Sequence, residues 1–378
     1  MNKKKTKVVI SGVNIVEGGA LTTFQSIIGA FSKFEDISLV CLVNSKKHFG
    51  NYNISDIEFI EYPLIKKRWL RRIKFEYYDC RRISKEIKPD IWISMHDMTP
   101  TVICKNQFVY CHNPSPFYQS KLFDLKMDPS FFIFTLLYKY LYKINIKKNK
   151  AVIVQQDWLA HAFKKWYGVK NILVSKPEEN DINNISLGCS EQKSYGTYFY
   201  PALARTFKNF EVIGEAVQML STRNPQAYAK LNIILTIDGE ENKYANYIYN
   251  KYSHLKAINF VGRLTRNEVN EYYSKVDVLL FPSKLETWGL PISEAKMKHL
   301  PMLVADLSYA KETVGTYDKV TFIDINDPNV LAELFERCIT GQHRFEKCSY
   351  VPNEDYIHSN SWSELAQNIL NKACSKLI

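Results

Sequence analysis

The chain has 378 residues, of which 46% are hydrophobic and 24% are charged. This composition is typical of a folded globular protein and excludes a disordered chain, and the length predicts two domains rather than one. The eight cysteines contain no Cys-x-x-Cys pair, so we predict neither a disulfide framework nor a zinc site, and we expect a reducing compartment. We expect no signal peptide, because the first apolar run is only three residues long. The most apolar stretch, Phe131–Tyr138, is far too short for a membrane span.

Positive charge is concentrated in the first half of the chain. Residues 1–176 contain 29 Lys and Arg against 14 Asp and Glu, whereas the remainder contains 21 against 25. A general lysine bias would raise the charge of both halves. We therefore expect the basic half to face an anionic partner.

Strand-like and helix-like segments alternate along the whole chain. In the first half they are Lys7–Ser11, Leu21–Phe34, Ser38–Val43, Ile57–Tyr62, a basic helix near Phe75–Ile87, Ile91–Met95, Phe108–His112 and Ala151–Gln155. In the second half they are Thr197–Tyr200, Phe210–Leu220, Leu231–Ile237, Ala257–Phe260, Arg266–Lys275, Val276–Phe281, Ile292–Lys298, Met302–Ala305 and Val320–Ile323. Alternation of this kind predicts an α/β fold with two doubly wound parallel sheets.

A polar stretch rich in turn formers divides the two sets of segments. We predict a linker over residues 177–195. It separates an N-terminal domain of residues 1–176 from a C-terminal domain of residues 196–360, and residues 361–378 form a last helix.

Two glutamates flank a predicted strand-to-helix turn. The apolar run Val276–Phe281 predicts a buried strand, and a helix follows a turn that contains Gly289. Glu286 therefore lies in the loop just past the strand, and Glu294 lies about one turn into the helix.

The backbone between the two glutamates supplies hydrogen-bond donors. The N–H groups of Trp288, Gly289 and Leu290 lie near a helix N-terminus, where anionic groups bind well. Carboxylates that accept from hydroxyls, together with N–H groups that donate to phosphate, suit a sugar nucleotide. Two ordinary solvent-facing glutamates are the alternative interpretation.

The segment around these residues resembles the E-x7-E signature of retaining GT-B glycosyltransferases of family 4, the glycosyl transferases group 1. The match extends through Pro282-Ser283, Gly289-Leu290-Pro291, Pro301 and Ala305-Asp306. The resemblance implies two Rossmann-like domains with a cleft between them and a C-terminal helix that crosses back to the first domain. Members of the family add sugars to polysaccharides, lipopolysaccharides and O-antigen.

The resemblance also implies a reaction and roles for the segment's residues. A hexose passes from a UDP- or GDP-sugar to a hydroxyl of a growing, lipid-linked glycan with retention of configuration. Glu286 holds hydroxyls of the donor sugar and Glu294 holds the ribose, while the backbone at Trp288–Leu290 stabilises the diphosphate. The sequence contains no Asp-x-Asp motif of the GT-A kind, so we expect no metal cofactor.

Gly18 and Gly19 follow the first predicted strand and open the helix at Leu21. Paired glycines there let the backbone approach a ligand closely, although a simple turn is an equal alternative. Their place resembles the family's glycine-rich first loop, which lies beside the donor phosphates and the acceptor. No G-x-G-x-x-G dinucleotide motif is present.

A histidine stands where a predicted strand of the first domain gives way to a loop. His112 occupies this position, at which parallel sheets bind ligands, and a structural histidine bonded to backbone is the alternative. The position resembles the family's strand-end histidine, which contacts the transferred sugar, with Asn113 in place of the usual Asp. His96 ends the preceding strand and is a competing candidate, and we favour His112.

Arg205 and Lys208 lie where the first strand of the second domain meets its first helix. A forked guanidinium and a point charge suit a leaving diphosphate, whereas two surface cations at a helix start are the common alternative. Lys208-Asn209 resembles the family's Lys-Gly or Lys-Asn. The family's arginine usually lies further upstream, where this chain has Tyr200-Pro201-Ala202, so either Arg205 substitutes for it or phosphate binding depends more on Lys208.

One further stretch resembles the family, and one further residue departs from it. The stretch from Val261 through Gly262 to Leu264 resembles the base-binding backbone, which constrains side chains little and does not separate UDP from GDP. His299 stands where the family usually has glycine, and we attach no chemistry to it.

Two basic stretches interleave cations with aromatic residues. The first is the predicted membrane patch, whose cations are Lys66, Lys67, Arg68, Arg71 and Arg72. The second is residues 131–150. This pattern suits an anionic lipid interface, and we expect a cytoplasmic protein on the inner face of the cell membrane. A solvated basic face is the alternative, and no nucleic-acid motif accompanies the charge.

Three rival classes of function remain open at this stage. A GT-B epimerase or phosphorylase would share the fold and would release free sugar or carry out phosphorolysis. A non-catalytic nucleotide-sugar or glycan-binding module would bind the donor without turnover. A nucleic-acid-binding protein would lose affinity steeply with salt.

Overall fold

The structure, a computed structural model, describes residues 5–50, 57–177 and 194–374. The chain divides into two compact units. Unit 1 comprises Met1–Phe117, Leu136–Glu178 and Asn353–Ile378, and unit 2 comprises Tyr118–Thr135 and Glu179–Pro352. The predicted linker, residues 177–195, lies almost wholly outside the described residues.

The strands, in chain order, are β1 (Thr6–Gly12), β2 (Ile37–Val43), β3 (Ile57–Glu61), β4 (Ile91–Ser94), β5 (Asn106–Cys111), β6 (Ala151–Val154), β7 (Ile172–Ser175), β8 (Thr197–Tyr200), β9 (Asn232–Leu235), β10 (Ile258–Phe260), β11 (Val278–Phe281), β12 (Met302–Ala305), β13 (Val320–Ile323) and β14 (Ile357–Ser359). Most are short and fully buried. Continuous apolar runs of this kind are expected where helices cover both faces of a parallel sheet.

The helices, in chain order, are α1 (Gly18–Phe31), α2 (Trp69–Lys74), α3 (Cys80–Ile87), α4 (Leu122–Met127), α5 (Pro129–Lys143), α6 (Asp157–Tyr167), α7 (Phe210–Arg223), α8 (Pro225–Tyr228), α9 (Lys243–Tyr252), α10 (Arg266–Tyr273), α11 (Leu290–Met297), α12 (Ser308–Val314), α13 (Pro328–Ile339) and α14 (Trp362–Cys374). None of the helices in the described part of the chain combines the length and the hydropathy of a membrane span.

Each unit contains one parallel sheet. The sheet of unit 1 has the order β14-β7-β6-β5-β4-β1-β2-β3, and that of unit 2 has the order β10-β9-β8-β11-β12-β13. The strand order reverses between β1 and β4 in unit 1 and between β8 and β11 in unit 2. The prediction of two doubly wound parallel α/β sheets is confirmed, and these reversals are where such sheets bind ligands.

Helix α14 belongs to the core of unit 1. Its residues Trp362, Leu365 and Ile369 are buried in the same cluster as Phe24 and Ile28 of α1. The C-terminal segment therefore packs with elements from the start of the chain, because its apolar face needs a partner to leave water.

The segment Tyr118–Thr135 lies in unit 2, whereas the predicted boundaries assign it to the N-terminal domain. Aromatic contacts hold it there. The ring of Phe131 lies 5.1 Å from that of Phe207, and the ring of Phe123 lies 5.5 Å from that of Tyr247. Sequence proximity alone did not reveal this assignment, because the contacts join residues far apart in the chain.

The basic helix predicted near Phe75–Ile87 is part of a longer helical stretch. It begins with α2 at Trp69, passes through a π-helical turn at Phe75–Asp79 and ends with α3. At the π turn the side chain of Glu76 points into the interior, where it is fully buried. π turns of this kind occur frequently at functional sites.

Candidate functional site

The strand reversal of unit 2 brings together Lys208 and Glu286. Lys208 follows β8 and Glu286 follows β11, and the Lys208 Nζ forms an ion pair with the Glu286 Oε1. Their side chains are only 14% and 15% exposed, and the ammonium lies 5.5 Å from the ring centroids of Phe207 and Phe281. The pair is therefore partly desolvated, and its attraction is stronger than that of a surface pair.

Asn209 fixes the backbone next to Lys208. It adopts a left-handed conformation with φ of 59°, and its amide Nδ2 donates to the carbonyl of Ile325 at 2.9 Å. Glycine and asparagine are the residues that tolerate this conformation best. The Lys-Asn pair thus meets a backbone requirement that a Lys-Gly pair meets equally well.

Two side chains of α10 hold the carboxylate of Glu294. The guanidinium of Arg266 forms an ion pair with Oε1, and the hydroxyl of Tyr273 donates to Oε2 at 2.8 Å. The Glu294 side chain is 12% exposed, whereas that of Arg266 is 64% exposed. The carboxylate is therefore anchored from the interior by Tyr273 and from the solvent side by Arg266.

The turn between the two glutamates depends on Gly289. Its φ is 84°, and a Cβ there would lie 3.3 Å from the side chain of Ile292 and 3.4 Å from that of Phe281. The Trp288 indole donates to the Ser293 hydroxyl at 2.9 Å, which fixes the buried ring. Leu290 begins α11 and is exposed.

The base-binding stretch predicted at Val261–Leu264 is partly engaged by the protein itself. The N–H groups of Val261 and Gly262 donate to the carbonyls of Leu235 and Ile237 at 3.0 and 3.3 Å. These two donors are therefore occupied within the protein. Gly262 has φ of 71°, and a Cβ there would lie 2.8 Å from Asp238 Oδ2.

Arg205 does not join the Lys208–Glu286 pair. Its Nη1 forms an ion pair with the Oδ2 of Asp128 at 2.8 Å, and Asp128 precedes α5 in the segment that lies in unit 2. The two cations that the sequence suggested as partners therefore pair with different carboxylates.

In unit 1, the two glycines stand at the strand reversal. Gly18 and Gly19 are the first residues of α1, which follows β1. Gly18 has φ of 70°, and a Cβ at this position would meet nothing within 4 Å. Both glycines are exposed, so Gly18 is required by its left-handed backbone rather than by a close approach of neighbouring atoms.

Of the two candidate histidines, His112 is the accessible one. Its side chain is 26% exposed, whereas that of His96 is 1% exposed. Burial is the largest cause that lowers the pKa of His96, so this side chain is neutral. Asp97, in a left-handed conformation with φ of 72°, accepts from the backbone N–H groups of His112 and Asn113 at 2.8 and 3.0 Å.

One of the five cations of the predicted membrane patch does not share the exposed surface of the other four. Lys66, Lys67, Arg68 and Arg71 are exposed, but Arg72 is turned into the protein. Its Nη2 donates to the carbonyl of His96, and its guanidinium lies 5.3 Å from the ring centroid of Trp69. Arg72 therefore does not lie on the same exposed face as the other four cations, because the helical rotation from Arg71 to Arg72 takes the second side chain to the inner face.

Sequence reasoning missed Arg266, Tyr273 and Asp97. The first two stand seven residues apart on α10 and share one face of the helix. A capping box of Thr265 and Glu268 marks the start of that helix, and it was the available signal. No local pattern indicates which carboxylate the face meets.

The strand order and the residues at the reversals define a GT-B type protein with a polar site at the switch point of unit 2. Residues 190–352 match the family described as "Glycosyl transferases group 1". The resemblance found in the sequence is confirmed over this part of the chain, which matches the family model.

One curated relative and several solved structures are similar to the chain. The O-antigen chain mannosyltransferase RfbU of Salmonella typhimurium is 22% identical over 217 residues, which cover 56% of this chain and 55% of that protein. The chain thus matches about half the length of this curated relative.

Three solved structures share the fold over nearly the whole chain. A glycosyltransferase from Rickettsia africae has a TM-score of 0.60 at 14% identity, covering 98% of this chain and 94% of that one. The lipopolysaccharide outer core galactosyltransferase WaaB has a TM-score of 0.59 at 13% identity, covering 97% and 99%. Anabaena HepE in complex with UDP and glucose has a TM-score of 0.56 at 12% identity, covering 97% of each chain.

Proposed function

We propose that the protein is a glycosyltransferase that moves a hexose from a UDP- or GDP-sugar to a hydroxyl of a growing surface glycan of the lipopolysaccharide or O-antigen type. The acceptor is lipid-linked, and the sugar keeps its anomeric configuration. The observation that carries the proposal is the pair of anchored carboxylates at the switch point of unit 2, with Lys208 beside the first. The family match over residues 190–352 and the names of the relatives support the same class.

The reaction proceeds by front-face displacement in this proposal. The bond between the sugar C1 and the diphosphate oxygen breaks with oxocarbenium character, and the acceptor hydroxyl oxygen bonds to C1 on the same face. The departing diphosphate takes the acceptor's proton, so no protein carboxylate serves as general base. The protein then contributes orientation and electrostatic stabilisation.

The site residues of unit 2 have separate roles in donor binding. Glu286 accepts from hydroxyls of the donor sugar and Glu294 accepts from the ribose. Lys208 exchanges its partner Glu286 for the diphosphate, which carries more charge. The N–H groups at the start of α11 face the same diphosphate. Arg205 contributes to diphosphate binding only if its ion pair with Asp128 breaks.

Unit 1 supplies the acceptor side in this proposal. His112 contacts the transferred sugar, and Asp97 holds its loop. Gly18 and Gly19 give the acceptor and the donor phosphates access to the N-terminus of α1. The absence of an Asp-x-Asp motif supports a reaction without a metal cofactor, and assays with and without a chelator test that point.

The first test is donor binding by Glu294→Ala. Loss of the ribose acceptor predicts about a tenfold or greater loss of affinity for the UDP- or GDP-sugar that binds the wild type, since a hydrogen bond to a charged group is worth about 1.5–3 kcal/mol. Isothermal titration of wild type, Glu294→Ala and the control Glu271→Ala measures this change. Glu271 is an exposed carboxylate on α10 that pairs with Lys275, so its variant keeps wild-type affinity.

The rival classes differ in what the assay detects. A binding module takes up the donor and releases neither nucleotide nor glycoside, an epimerase releases free sugar, and a phosphorylase needs inorganic phosphate. Unchanged donor affinity in Glu294→Ala would remove this residue from the ribose role.

We further propose that unit 1 docks on an anionic membrane from the cytoplasmic side. The exposed cations Lys66, Lys67, Arg68 and Arg71 support this, together with Leu70, which is exposed beside them. Basic residues interleaved with exposed apolar side chains are typical of interfacial surfaces.

A further inference from the structure

Helix α10 contains two polar side chains that the proposed reaction does not use directly. Arg266 is its first residue and Tyr273 is its last. Seven residues correspond to about two helical turns, so both side chains leave the same face of the helix. That face meets α11, and both side chains contact the carboxylate of Glu294.

Tyr273 contributes the rigid part of this arrangement. The residue is buried, and its ring packs edge-on against Phe199 at a centroid distance of 5.4 Å. Its hydroxyl reaches the Glu294 Oε2 at 2.8 Å and the carbonyl of Pro291 at 3.4 Å. Because the ring is locked by packing, the hydroxyl fixes the position of one carboxylate oxygen.

The protonation of Tyr273 is set by burial. Burial, followed by the charge of Glu294, raises the pKa of Tyr273 well above its ordinary value. The phenol therefore keeps its proton and remains a donor to the carboxylate.

Arg266 holds the second oxygen of the Glu294 carboxylate from the solvent side. Its guanidinium is exposed and holds the other carboxylate oxygen, Oε1. With Tyr273 on Oε2 and Arg266 on Oε1, the plane of the carboxylate is fixed at both ends. The remaining lone pairs of both oxygens are then available to two neighbouring hydroxyls.

We propose that Tyr273 and Arg266 are positioning residues that orient the Glu294 carboxylate so that the site selects a ribonucleotide over a 2′-deoxyribonucleotide. This inference rests on the proposed function, because it assumes that Glu294 meets the ribose. Neither residue touches the reacting atoms; both act through Glu294. A site built to bond a hydroxyl discriminates strongly against a ligand that lacks it, because its polar groups are left unpaired.

The test measures the affinity ratio between ribo- and deoxyribonucleotides. The probes are UDP and GDP with their 2′-deoxy counterparts, titrated against wild type and Tyr273→Phe. We expect the wild type to prefer the ribonucleotide at least tenfold and Tyr273→Phe to reduce this preference about three- to tenfold, while its affinity for the 2′-deoxynucleotide is unchanged.

Two controls separate positioning from a general effect on folding. Tyr272→Phe removes a hydroxyl from the neighbouring residue, whose ring stacks on Phe199 at 5.2 Å, and it keeps the wild-type ratio. The second control, Lys275→Ala, breaks an exposed ion pair with Glu271 and leaves the ratio unchanged.

Arg266→Ala tests the other positioning residue, and we expect it to lower the ratio about two- to threefold.

The outcomes distinguish this inference from the function on which it rests. If Tyr273→Phe weakens both nucleotides by the same factor, or neither, the positioning role is overturned while the donor site stands. If wild type binds none of the four nucleotides, the proposed function and the inference fall together. A reduced ratio in Tyr272→Phe as well would overturn the assignment to Tyr273.

Discussion

His299 adopts a conformation that ordinarily belongs to glycine. Its φ is 54°, and it follows α11 with two hydrogen bonds of a Schellman motif. The N–H of Leu300 donates to the carbonyl of Ala295 at 3.0 Å, and the N–H of His299 donates to that of Lys296 at 2.9 Å. The residue after the helix end is left-handed in this motif. The departure from the family's glycine is therefore a matter of backbone strain.

Replacing His299 with glycine should stabilise the protein. A left-handed conformation costs a non-glycine residue about 1 kcal/mol, part of which glycine loses again through its unfolded-state entropy. We expect His299→Gly to raise the free energy of unfolding of unit 2 by about 0.5–1 kcal/mol, measured by urea titration. His254→Gly, at an exposed position outside the left-handed region, should lower it or leave it unchanged. A destabilised His299→Gly would mean that the imidazole makes a contact that outweighs the strain.

Asp97 holds the loop of His112 through its carboxylate. Removing the side chain leaves the partly buried backbone N–H groups of His112 and Asn113 without their acceptor. We expect Asp97→Ala to lower the free energy of unfolding by about 1–3 kcal/mol. Asp97→Asn keeps a carbonyl oxygen and the left-handed conformation, so its loss should be about half as large.

Denaturant unfolding and glycosyl transfer together test this interpretation of Asp97. Under the proposed function, Asp97→Ala also lowers turnover, because His112 loses its orientation. Equal stability of the alanine and asparagine variants would show that the carboxylate is not the group that holds the loop.

At the scale of elements, the helical stretch from α2 to α3 contains a buried ionisable cluster. The π turn brings Glu76 within reach of Arg72 and His96, and the His96 Nδ1 lies 3.1 Å from the Glu76 Oε1. Burial raises the pKa of Glu76 to about 8, and the nearby Arg72 opposes the rise. Because His96 is neutral and Glu76 is largely protonated at pH 7, the contact between them is one of two uncharged groups rather than an ion pair. Neither Glu76 oxygen has a hydrogen-bond partner among the described residues.

This cluster makes stability depend on pH. Because the folded-state pKa of Glu76 lies above its ordinary value of 4.5, folding favours the protonated form. Glu76 therefore has no adverse effect below about pH 4.5 and lowers stability increasingly as the pH rises to about 8, by at most about 1.4 kcal/mol per pH unit.

Glu76→Gln should remove this dependence. We expect its free energy of unfolding to approach that of the wild type at pH 5 and to exceed it by a few kcal/mol at pH 8. Glu86→Gln, an exposed site on α3, should follow the wild type at both values. Urea titration at the two pH values measures the difference. A constant gap between Glu76→Gln and wild type would mean that Glu76 does not titrate in this range.

At the scale of the whole molecule, the excess of positive charge lies in the segments that form most of unit 1. The exposed cations near α2 are accompanied by apolar side chains at the C-terminal end of α5, where Leu137, Tyr140 and Ile144 are exposed. The ammonium of Lys139 lies 5.2 Å from the ring centroid of Tyr140. This combination favours an anionic lipid surface over a purely solvated face.

Charge reversal at four positions tests membrane docking. The variant replaces Lys66, Lys67, Arg68 and Arg71 with glutamate and leaves the inward-facing Arg72 intact. We expect binding to vesicles of 30% phosphatidylglycerol in phosphatidylcholine to fall at least about 100-fold in a sedimentation assay, since each cation contributes about 1 kcal/mol. Hydrolysis of soluble donor should persist.

The matched control reverses four exposed lysines of unit 2, namely Lys230, Lys243, Lys256 and Lys347. Its net charge changes equally, and its vesicle binding should stay within about threefold of wild type. Equal loss in both variants would show that total charge, rather than the patch, governs binding. Undiminished binding of the first variant would mean that the membrane contacts other residues.

The sequence by itself determined the class of fold, and it placed Glu286 and Glu294 on either side of one strand-to-helix turn. Short buried runs such as Val276–Phe281, separated by turn formers, are enough to predict parallel strands, because burial on both faces requires apolar residues throughout. The glutamate pair and its turn could be recognised because their spacing is local. Element ends were predicted to within a few residues for the same reason.

Only the tertiary structure decided which side chains meet across distant parts of the chain. Arg205 lies 77 residues from its partner Asp128, and Arg266 lies 28 residues from Glu294. Such pairs leave no periodic signal in the sequence, since they depend on how strands are ordered and how helix faces are turned. The direction of a single cation, outward for Arg71 and inward for Arg72, follows from helix rotation set by packing. Local chemistry therefore specified the elements, and long-range packing specified their polar contacts.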